Sequence, residues 1–146
     1  MTDIRNHRRI PGRYLLAAVL LSSIGCGGSG PQTVPFSGKI SLVGGNLEQL
    51  AGSAVEVAKV DDPAVRGFGE IQPDGQFQLA SLIQGELREG VLPGQYQVRI
   101  LPNSEDGESY RRSAKAVARR FLQFETSGLK VNVPDSQVVT LAISAK

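Results

Sequence analysis

Apolar and polar residues alternate in seven short segments of this chain, and each segment is typical of a half-buried β-strand. In the first of them Phe36, Ile40 and Leu42 fall on one face. The predicted strands are 34–42, 54–60, 67–71, 76–79, 95–101, 129–133 and 138–143. Seven short strands separated by turn residues predict an all-β fold, a seven-stranded antiparallel β-sandwich.

The residues between these segments predict how the strands connect. Gln72-Pro73-Asp74-Gly75 predicts a hairpin between the third and fourth strands, because proline presets the second turn position and Gly75 tolerates positive φ. Segments 46–52, 81–92 and 102–109 show neither a strand nor a helix period. We predict that these three segments are loops.

One segment has a helical period instead. Tyr110, Ala114, Val117 and Phe121 recur every three or four residues, which places them on one helix face, directed toward the core. We predict a short amphipathic helix at about 110–122, with an extended loop as the alternative.

The first 25 residues have the parts of an export signal in the order that export requires. Four arginines, between Arg5 and Arg13, precede an apolar run at residues 14–21, and small residues end this run before Cys26. A membrane-spanning helix needs about 20 apolar residues. The run is therefore too short for a permanent span, and a cleaved signal is the better interpretation.

The pair Gly25-Cys26 resembles the end of a bacterial lipoprotein signal. The resemblance implies that a signal peptidase cleaves between Gly25 and Cys26, and that acyl chains on Cys26 hold the mature protein on the membrane. In some bacteria an acidic residue directly after the cysteine retains lipoproteins at the inner membrane. Gly27 is not acidic, so the analogy favours the outer membrane over the inner membrane. An ordinary secretory signal with a cysteine at its cleavage site is the alternative. The predicted organisation is a signal peptide at 1–25, a flexible tether at 26–33 and a sandwich domain at 34–146.

Removal of the signal changes the charge of the chain. The whole sequence has 16 Lys and Arg against 14 Asp and Glu, and residues 1–25 contain four of the basic and one of the acidic residues. The mature chain then carries 12 basic and 13 acidic residues, so its balance favours no nucleic-acid partner. The single histidine of the whole sequence, His7, lies in the signal, so the mature chain has none, and Cys26 is the single cysteine. A lipidated mature chain therefore excludes Ser-His-Asp and Cys-His nucleophile systems, disulfides, and metal sites built on imidazole or thiolate.

Five short segments of the mature chain together resemble a known family. They are 36–40, 50–55, 73–79, 93–98 and 126–129, in family order across nearly the whole mature chain. The family is that of bacterial lipoproteins with a carboxypeptidase-regulatory-like domain, a transthyretin-like (prealbumin-like) seven-stranded sandwich. The resemblance implies a Greek-key fold and an envelope location. It implies no activity, because such domains serve as accessory, adhesive or carbohydrate-associated modules.

Charged and aromatic residues provide candidate sites, each with a simpler structural interpretation. Five basic residues form a possible anionic-surface patch or a solvated helix face: Arg111, Arg112, Lys115, Arg119 and Arg120. Tyr96, Tyr110 and the five phenylalanines could form a sugar platform, but core packing is the commoner role of aromatic residues in alternating strands. Acidic residues at 61–62, 74 and 105–108 could offer oxygens to calcium, but none follows the EF-hand spacing, and no metal or other cofactor is predicted.

Glu56 and Glu70 are the candidate carboxylate pair for a hydrolase, and both are predicted to lie on solvent-facing sides of their strands. The sequence favours a non-catalytic cell-envelope lipoprotein that acts as a structural or interaction module, with a protein or glycan as its unknown partner. A small carbohydrate-binding module is the alternative, followed by a hydrolase that uses carboxylates alone.

Overall fold

The computed structural model describes residues 30–135 and 138–146. Nine strands and two α-helices occur in these residues. The strands are β1 Ser37–Val43, β2 Ala54–Lys59, β3 Arg66–Glu70, β4 Gln76–Gln78, β5 Ala80–Ile83, β6 Glu86–Glu89, β7 Gly94–Leu101, β8 Leu129–Val133 and β9 Val139–Ser144. The helices are α1 Gly107–Ala116 and α2 Phe124–Ser127, and 3-10 turns lie at Leu47–Leu50 and Arg119–Leu122. Each of the seven predicted strands has a counterpart whose ends agree within three residues.

The strands form two sheets, as a sandwich requires. The smaller sheet has the order β4-β1-β9, and the larger has the order β6-β5-β3-β2-β7-β8. All neighbours in the larger sheet are antiparallel, whereas β1 and β9 are parallel, from Gly38 opposite Val139 to Val43 opposite Ser144. The fold class is thus confirmed as all-β with two sheets. The predicted count of seven strands is wrong, and so is purely antiparallel pairing.

Apolar side chains from both sheets meet in one core. Phe36 and Ile40 lie inside from the smaller sheet, and Tyr96, Val98 and Ile100 lie inside from β7, as alternation predicts. The Tyr96 hydroxyl donates to the Leu92 carbonyl oxygen at 2.7 Å, which satisfies its one buried polar group. Burial, with a smaller contribution from the Asp61 charge, raises the pKa of Tyr96 to about 12.

The segment 81–92, predicted to be a loop, contains a hairpin. β5 and β6 pair directly, with Leu82 opposite Leu87 and Ile83 opposite Glu86. Gln84 (φ 53°) and Gly85 (φ 83°) both have positive φ, as two-residue hairpin turns of type I′ require. The prediction was wrong because Gln-Gly is a weaker turn signal than Asn-Gly and each strand has only four residues.

The turn at Gln72–Gly75 is confirmed, but the hairpin predicted around it is wrong. Gly75 has φ 84°, and its N–H donates to the Gln72 carbonyl at 2.8 Å. β3 nevertheless pairs with β2 and β5, whereas β4 pairs with β1 in the other sheet. The turn therefore carries the chain from one sheet to the other.

The predicted helix at 110–122 is shorter and begins earlier. α1 spans Gly107–Ala116, where the Asp106 carboxylate caps its first turn, and it buries Ser109, Ser113 and Ala116. Tyr110, expected to face the core, is 51 % exposed, whereas Phe121 is buried. The chain becomes extended at Val117 and Ala118, so Phe121 reaches the core from a separate 3-10 turn. The predicted loops at 46–52 and 102–109 likewise contain helical residues.

Candidate functional site

A cleft of about 370 Å³ lies at the seam between the two sheets. Strand β4 and Ser37 line it from the smaller sheet, and Glu70 lines it from the end of β3. Its lining residues are Ser37, Glu70, Gln72, Gln76, Phe77 and Gln78. The cleft exists because the turn at 72–75 carries the chain between sheets, which leaves polar strand ends beside each other. Carboxamides, a hydroxyl and one carboxylate give it hydrogen-bonding character without a basic side chain.

Two of the cleft's carboxamides are held in place by carboxylates outside it. Gln76 Nε2 donates to Asp74 Oδ2 at 2.7 Å, and Gln78 Nε2 donates to Glu89 Oε1. The Gln76 backbone N–H also donates to Asp74 at 2.9 Å. That bond, together with the side-chain bond and the nearby Lys39, lowers the pKa of Asp74, so its carboxylate stays ionised at neutral pH. Each amide uses one N–H in these contacts and has a second N–H and a carbonyl oxygen to offer a ligand.

A buried carboxylate lies on the outer face of the larger sheet. Glu56 is only 2 % exposed, although it points away from the core between Val55 and Val57. Arg66 Nη1 donates to Glu56 Oε1 at 2.7 Å, and Arg99 Nε donates to Glu56 Oε2. Both oxygens of Glu56 therefore have a guanidinium partner, which compensates the charge in its buried position.

The ring of Phe124 covers this ion-paired cluster. The Arg99 and Arg66 guanidinium carbons lie 4.7 Å and 5.6 Å from the ring centroid, within cation–π range. The cap Gly128, in the left-handed conformation (φ 69°), ends α2 and returns the chain to β8. The Ser127 hydroxyl donates to the Val98 carbonyl, which holds α2 against β7.

The structure brings the candidate carboxylates Glu56 and Glu70 onto one face. Glu56 lies opposite Phe68 and Glu70 lies opposite Ala54, so the two acids are diagonal neighbours on adjacent strands. Glu70 is exposed, as predicted, but the prediction that Glu56 faces solvent is wrong. Alternation gave the correct direction, but it could not show that two arginines and Phe124 cover Glu56. An apolar run that contains a single acid, as Val55-Glu56-Val57 does, was the available signal.

Exposed apolar side chains continue along the same outer face. Phe68 is 44 % exposed beside Glu56, and Leu82 and Leu87 are 65 % and 77 % exposed on the β5–β6 hairpin. A shallow depression of about 430 Å³ adjoins Leu87, lined by residues 78–80 and Glu89 as well. Sequence reasoning missed this surface because it assigned no strand there.

The five predicted basic residues are all exposed: Arg111, Arg112, Lys115, Arg119 and Arg120. The first three belong to α1, and the other two to the 3-10 turn after the extended break. Arg112 Nη2 donates to the Ser109 hydroxyl at 3.1 Å, and the Arg120 guanidinium lies 4.5 Å from the Phe121 ring centroid. Both of these side chains thus also have contacts within their own segment.

Acidic residues in the loops serve local backbone structure. Asp106 accepts from the N–H groups of Glu108 and Ser109, at 2.7 and 2.9 Å. The backbone and hydroxyl bonds from Ser109, followed by the Glu108 N–H, lower the pKa of Asp106. Residues 30–135 and 138–146 contain no group of three or more His, Cys, Asp or Glu side chains arranged to hold a metal ion.

Most aromatic side chains belong to the core. Phe36, Phe77, Tyr96 and Phe121 are buried, which leaves Phe68 and Tyr110 as the strongly exposed rings of the described residues. These two rings lie on different elements, β3 and α1.

The predicted cleavage and lipid-attachment site, Gly25 and Cys26, lies outside the described residues. The described chain begins against the β6 edge, where Gly30 lies beside the Arg88 guanidinium and Val34 bridges to Val91. In the described part of the chain, no helix is long and apolar enough to cross a membrane.

Comparison of the chain with protein-family models, with curated proteins and with solved structures finds no match.

Proposed function

We propose that this chain is a non-catalytic, lipid-anchored module of the bacterial cell envelope that works by surface recognition. The observation that carries the proposal is the place where the chain enters the fold. Val34, which bridges to Val91, follows Cys26 by only eight residues. Acyl chains on Cys26 would therefore hold the sandwich close to the membrane surface, with the outer membrane favoured.

The proposal includes a transthyretin-like, Greek-key class for the sandwich, of the carboxypeptidase-regulatory-like kind. Two sheets that share one core support it, as do the turns at Gly75 and Gly128, which fall in two of the segments that carry the resemblance. We place the two extra strands in the β5–β6 hairpin, which lies at one edge of the larger sheet.

The placement of the acidic residues supports a role in recognition over catalysis. Glu56 has guanidinium groups on both carboxylate oxygens, which is the arrangement of a structural ion pair and not of a general acid or base with a free oxygen. Asp74 and Asp106 bond to their own turns. Recognition would then fall to the seam cleft between the sheets.

A carbohydrate-binding module is the second candidate, and the lining of the seam cleft favours it. Carboxamides and carboxylates are planar donors and acceptors suited to sugar hydroxyls, and Gln72, Gln76, Gln78 and Glu70 supply them on one rim. The same groups can bind peptide backbone, so the partner is either a glycan or an envelope protein.

The anchor is tested by intact-mass analysis of the protein purified from membranes. The expected mass is that of a chain that begins at Cys26 and carries acyl groups, and Cys26→Ser should leave the precursor uncleaved and unlipidated. A mature protein with an unmodified sulfur, or one that starts at another residue, would overturn the anchor.

The cleft is tested by capture of envelope proteins and by glycan-array binding with a paired variant. Glu70→Ala/Gln72→Ala changes two exposed cleft residues, and Arg111→Ala/Arg119→Ala is the matched control on another exposed surface. We expect the cleft variant alone to lose its partner. Equal binding by both variants, with both folded, would show that recognition occurs elsewhere.

A further inference from the structure

Two leucines lie side by side on the outer face of the β5–β6 hairpin. Leu82 and Leu87 are directly opposite in the register, and they are 65 % and 77 % exposed. Edge strands of soluble domains are usually short or carry charged side chains, because exposed apolar edges favour association. An adjacent pair of leucines at this edge therefore indicates a surface that is covered in the working state of the protein.

The hairpin is well fixed to the rest of the fold. Residues Ser81 and Ile83 on its inner face are buried, and the Ser81 hydroxyl donates to the Gly90 carbonyl oxygen at 2.8 Å. Four cross-strand pairs and the two-residue turn hold the strands in register. The leucines consequently project from a fixed framework, and their exposure does not depend on a loop conformation.

The start of the described chain indicates what covers these leucines. Gly30 lies against the Arg88 guanidinium, and Arg88 Nη1 donates to the Pro31 carbonyl oxygen at 3.4 Å. Arg88 follows Leu87 in β6, but its side chain lies on the opposite face of the hairpin, because Arg88 pairs with the inward-facing Ser81. The chain therefore reaches the hairpin at its edge strand, from the side opposite the leucines. Cys26 precedes Gly30 by four residues, which span roughly 14 Å at most when fully extended. A lipid on Cys26 is therefore tied within a short distance of the hairpin.

The charges around the hairpin indicate which kind of bilayer suits it. Glu89 lies on the same face as Leu87, whereas Glu86 and Arg88, which pair with each other at 3.1 Å, lie on the opposite face. Glu89 is therefore the one charged residue of β5 and β6 on the leucine face, so anionic headgroups would repel this face. Contact with a membrane would then depend on apolar burial and would favour zwitterionic lipid.

From these observations we infer that the outer face of the β5–β6 hairpin docks on the bilayer that holds the anchor, with Leu82 and Leu87 entering the boundary between headgroups and acyl chains. The inference rests on the proposed lipidation of Cys26, and it adds an orientation of the domain. Interfacial apolar side chains of this kind enter by about 5–10 Å. Replacement of both leucines by glutamine should lower the ratio of docked to undocked protein by about tenfold or more.

The chain contains no tryptophan, so one introduced tryptophan reports its own position. We would purify the lipidated protein from membranes, reconstitute it in phosphatidylcholine vesicles, and measure quenching by brominated lipids for Leu87→Trp and Leu82→Trp. Val43→Trp is the matched control. Val43 is 63 % exposed, like the two leucines. It lies nine residues after Val34, the point where the chain enters the fold, along a mostly extended segment, so it is about 30 Å from that point.

Docking predicts blue-shifted emission and strong quenching for the two hairpin variants. Their quenching should be weaker in vesicles in which a third of the lipid is anionic. Val43→Trp should show no quenching. Equal quenching at all three positions, or none at the hairpin, would overturn the inference.

The outcome is separable from that of the proposed anchor. If the mass shows an unmodified sulfur, the anchor proposal fails, and the Cys26 thiol can then be coupled to a maleimide lipid for the same quenching measurement. Quenching at Leu87 in that sample supports docking by the hairpin, and its absence refutes it whatever the natural modification is.

Discussion

Removal of the two arginines around Glu56 should destabilise the protein more than removal of Glu56 itself. The first variant is Arg66→Met/Arg99→Met, which leaves a carboxylate with 2 % exposure and no cationic partner among its present contacts. The second is Glu56→Leu, which leaves two guanidinium groups under Phe124. The two variants delete the same ion pairs and differ in which charge remains buried.

The exposed fractions set the expected magnitudes. A buried charge without its partner costs about 3–5 kcal/mol of unfolding free energy, and Glu56 has almost no access to water. Arg66 and Arg99 are 43 % and 28 % exposed, so both can turn toward solvent when Glu56 is absent. Glu56→Leu also places an apolar side chain in a covered position, and its cost should stay at about 1–2 kcal/mol.

Urea unfolding at neutral pH, followed by far-UV circular dichroism, measures both free energies. For a domain of this size each kcal/mol corresponds to about 4 °C in Tm. The arginine double variant should therefore melt about 12–20 °C below the parent. Arg111→Met/Arg119→Met, which changes two exposed arginines, is the control for the loss of two positive charges and should change stability by less than about 1 kcal/mol.

The reasoning would be refuted if Glu56→Leu cost as much as the arginine double variant, or if the control pair cost as much as Arg66 and Arg99. The first result would mean that Glu56 is not desolvated in the folded state. The second would mean that overall charge, and not the local ion pairs, stabilises this face.

Three further predictions concern local features. Asp106→Ala should fray the first turn of α1, whereas Asp106→Asn should preserve it, and amide exchange would measure both effects. Hydrogen bonds lower the pKa of Asp106 from its ordinary value of 3.8. The cap should therefore persist above pH 3.8 and be lost only as the pH falls through the lower pKa of the folded state. Gly75→Ala should lower the free energy of unfolding in urea more than Gly44→Ala does. Both positions have positive φ, which costs an alanine about 1–2 kcal/mol at either site. Only at Gly75 would the added methyl group also come within 2.7 Å of a backbone carbonyl oxygen. Raising the pH from 10 toward 12 should destabilise the parent protein, because the Tyr96 phenol ionises in the unfolded state before it ionises in the folded state, where its pKa is about 12. Tyr96→Phe should remove this pH dependence of stability. The same pH profile in Tyr96→Phe as in the parent would contradict the prediction.

The location of most strands could be predicted from the chain alone. Period-two alternation at β7 and at β1 identified which side chains enter the core, because burial on one face of a strand imposes that period on the sequence. The turn at Gly75 was equally readable, because glycine tolerates the positive φ that the structure has at this position.

Pairing between strands could not be predicted in the same way. Turn chemistry at 72–75 is the same whether the chain returns along its own sheet or crosses to the other, so it did not show that β4 joins β1. Pairing of β1 with β9 joins residues about a hundred positions apart, and alternation contains no information about which strand is the neighbour.

The candidate surfaces depended even more on tertiary structure. Glu56 and Arg99 are separated by 43 residues and come together only because β2 and β7 are adjacent in the sheet. The seam cleft likewise combines residues of both sheets.

By itself, therefore, the sequence determined the all-β class, most strand positions and the inward-facing residues of β1 and β7, all of which follow from local composition and period. Tertiary structure alone decided the sheet order, the burial of Glu56, the pairing of Leu82 with Leu87, and the contact between the entry of the chain and Arg88. These features are contacts between segments that are distant in the sequence. The free energy of such a contact depends on which two surfaces meet, and a local sequence pattern contains no information about that.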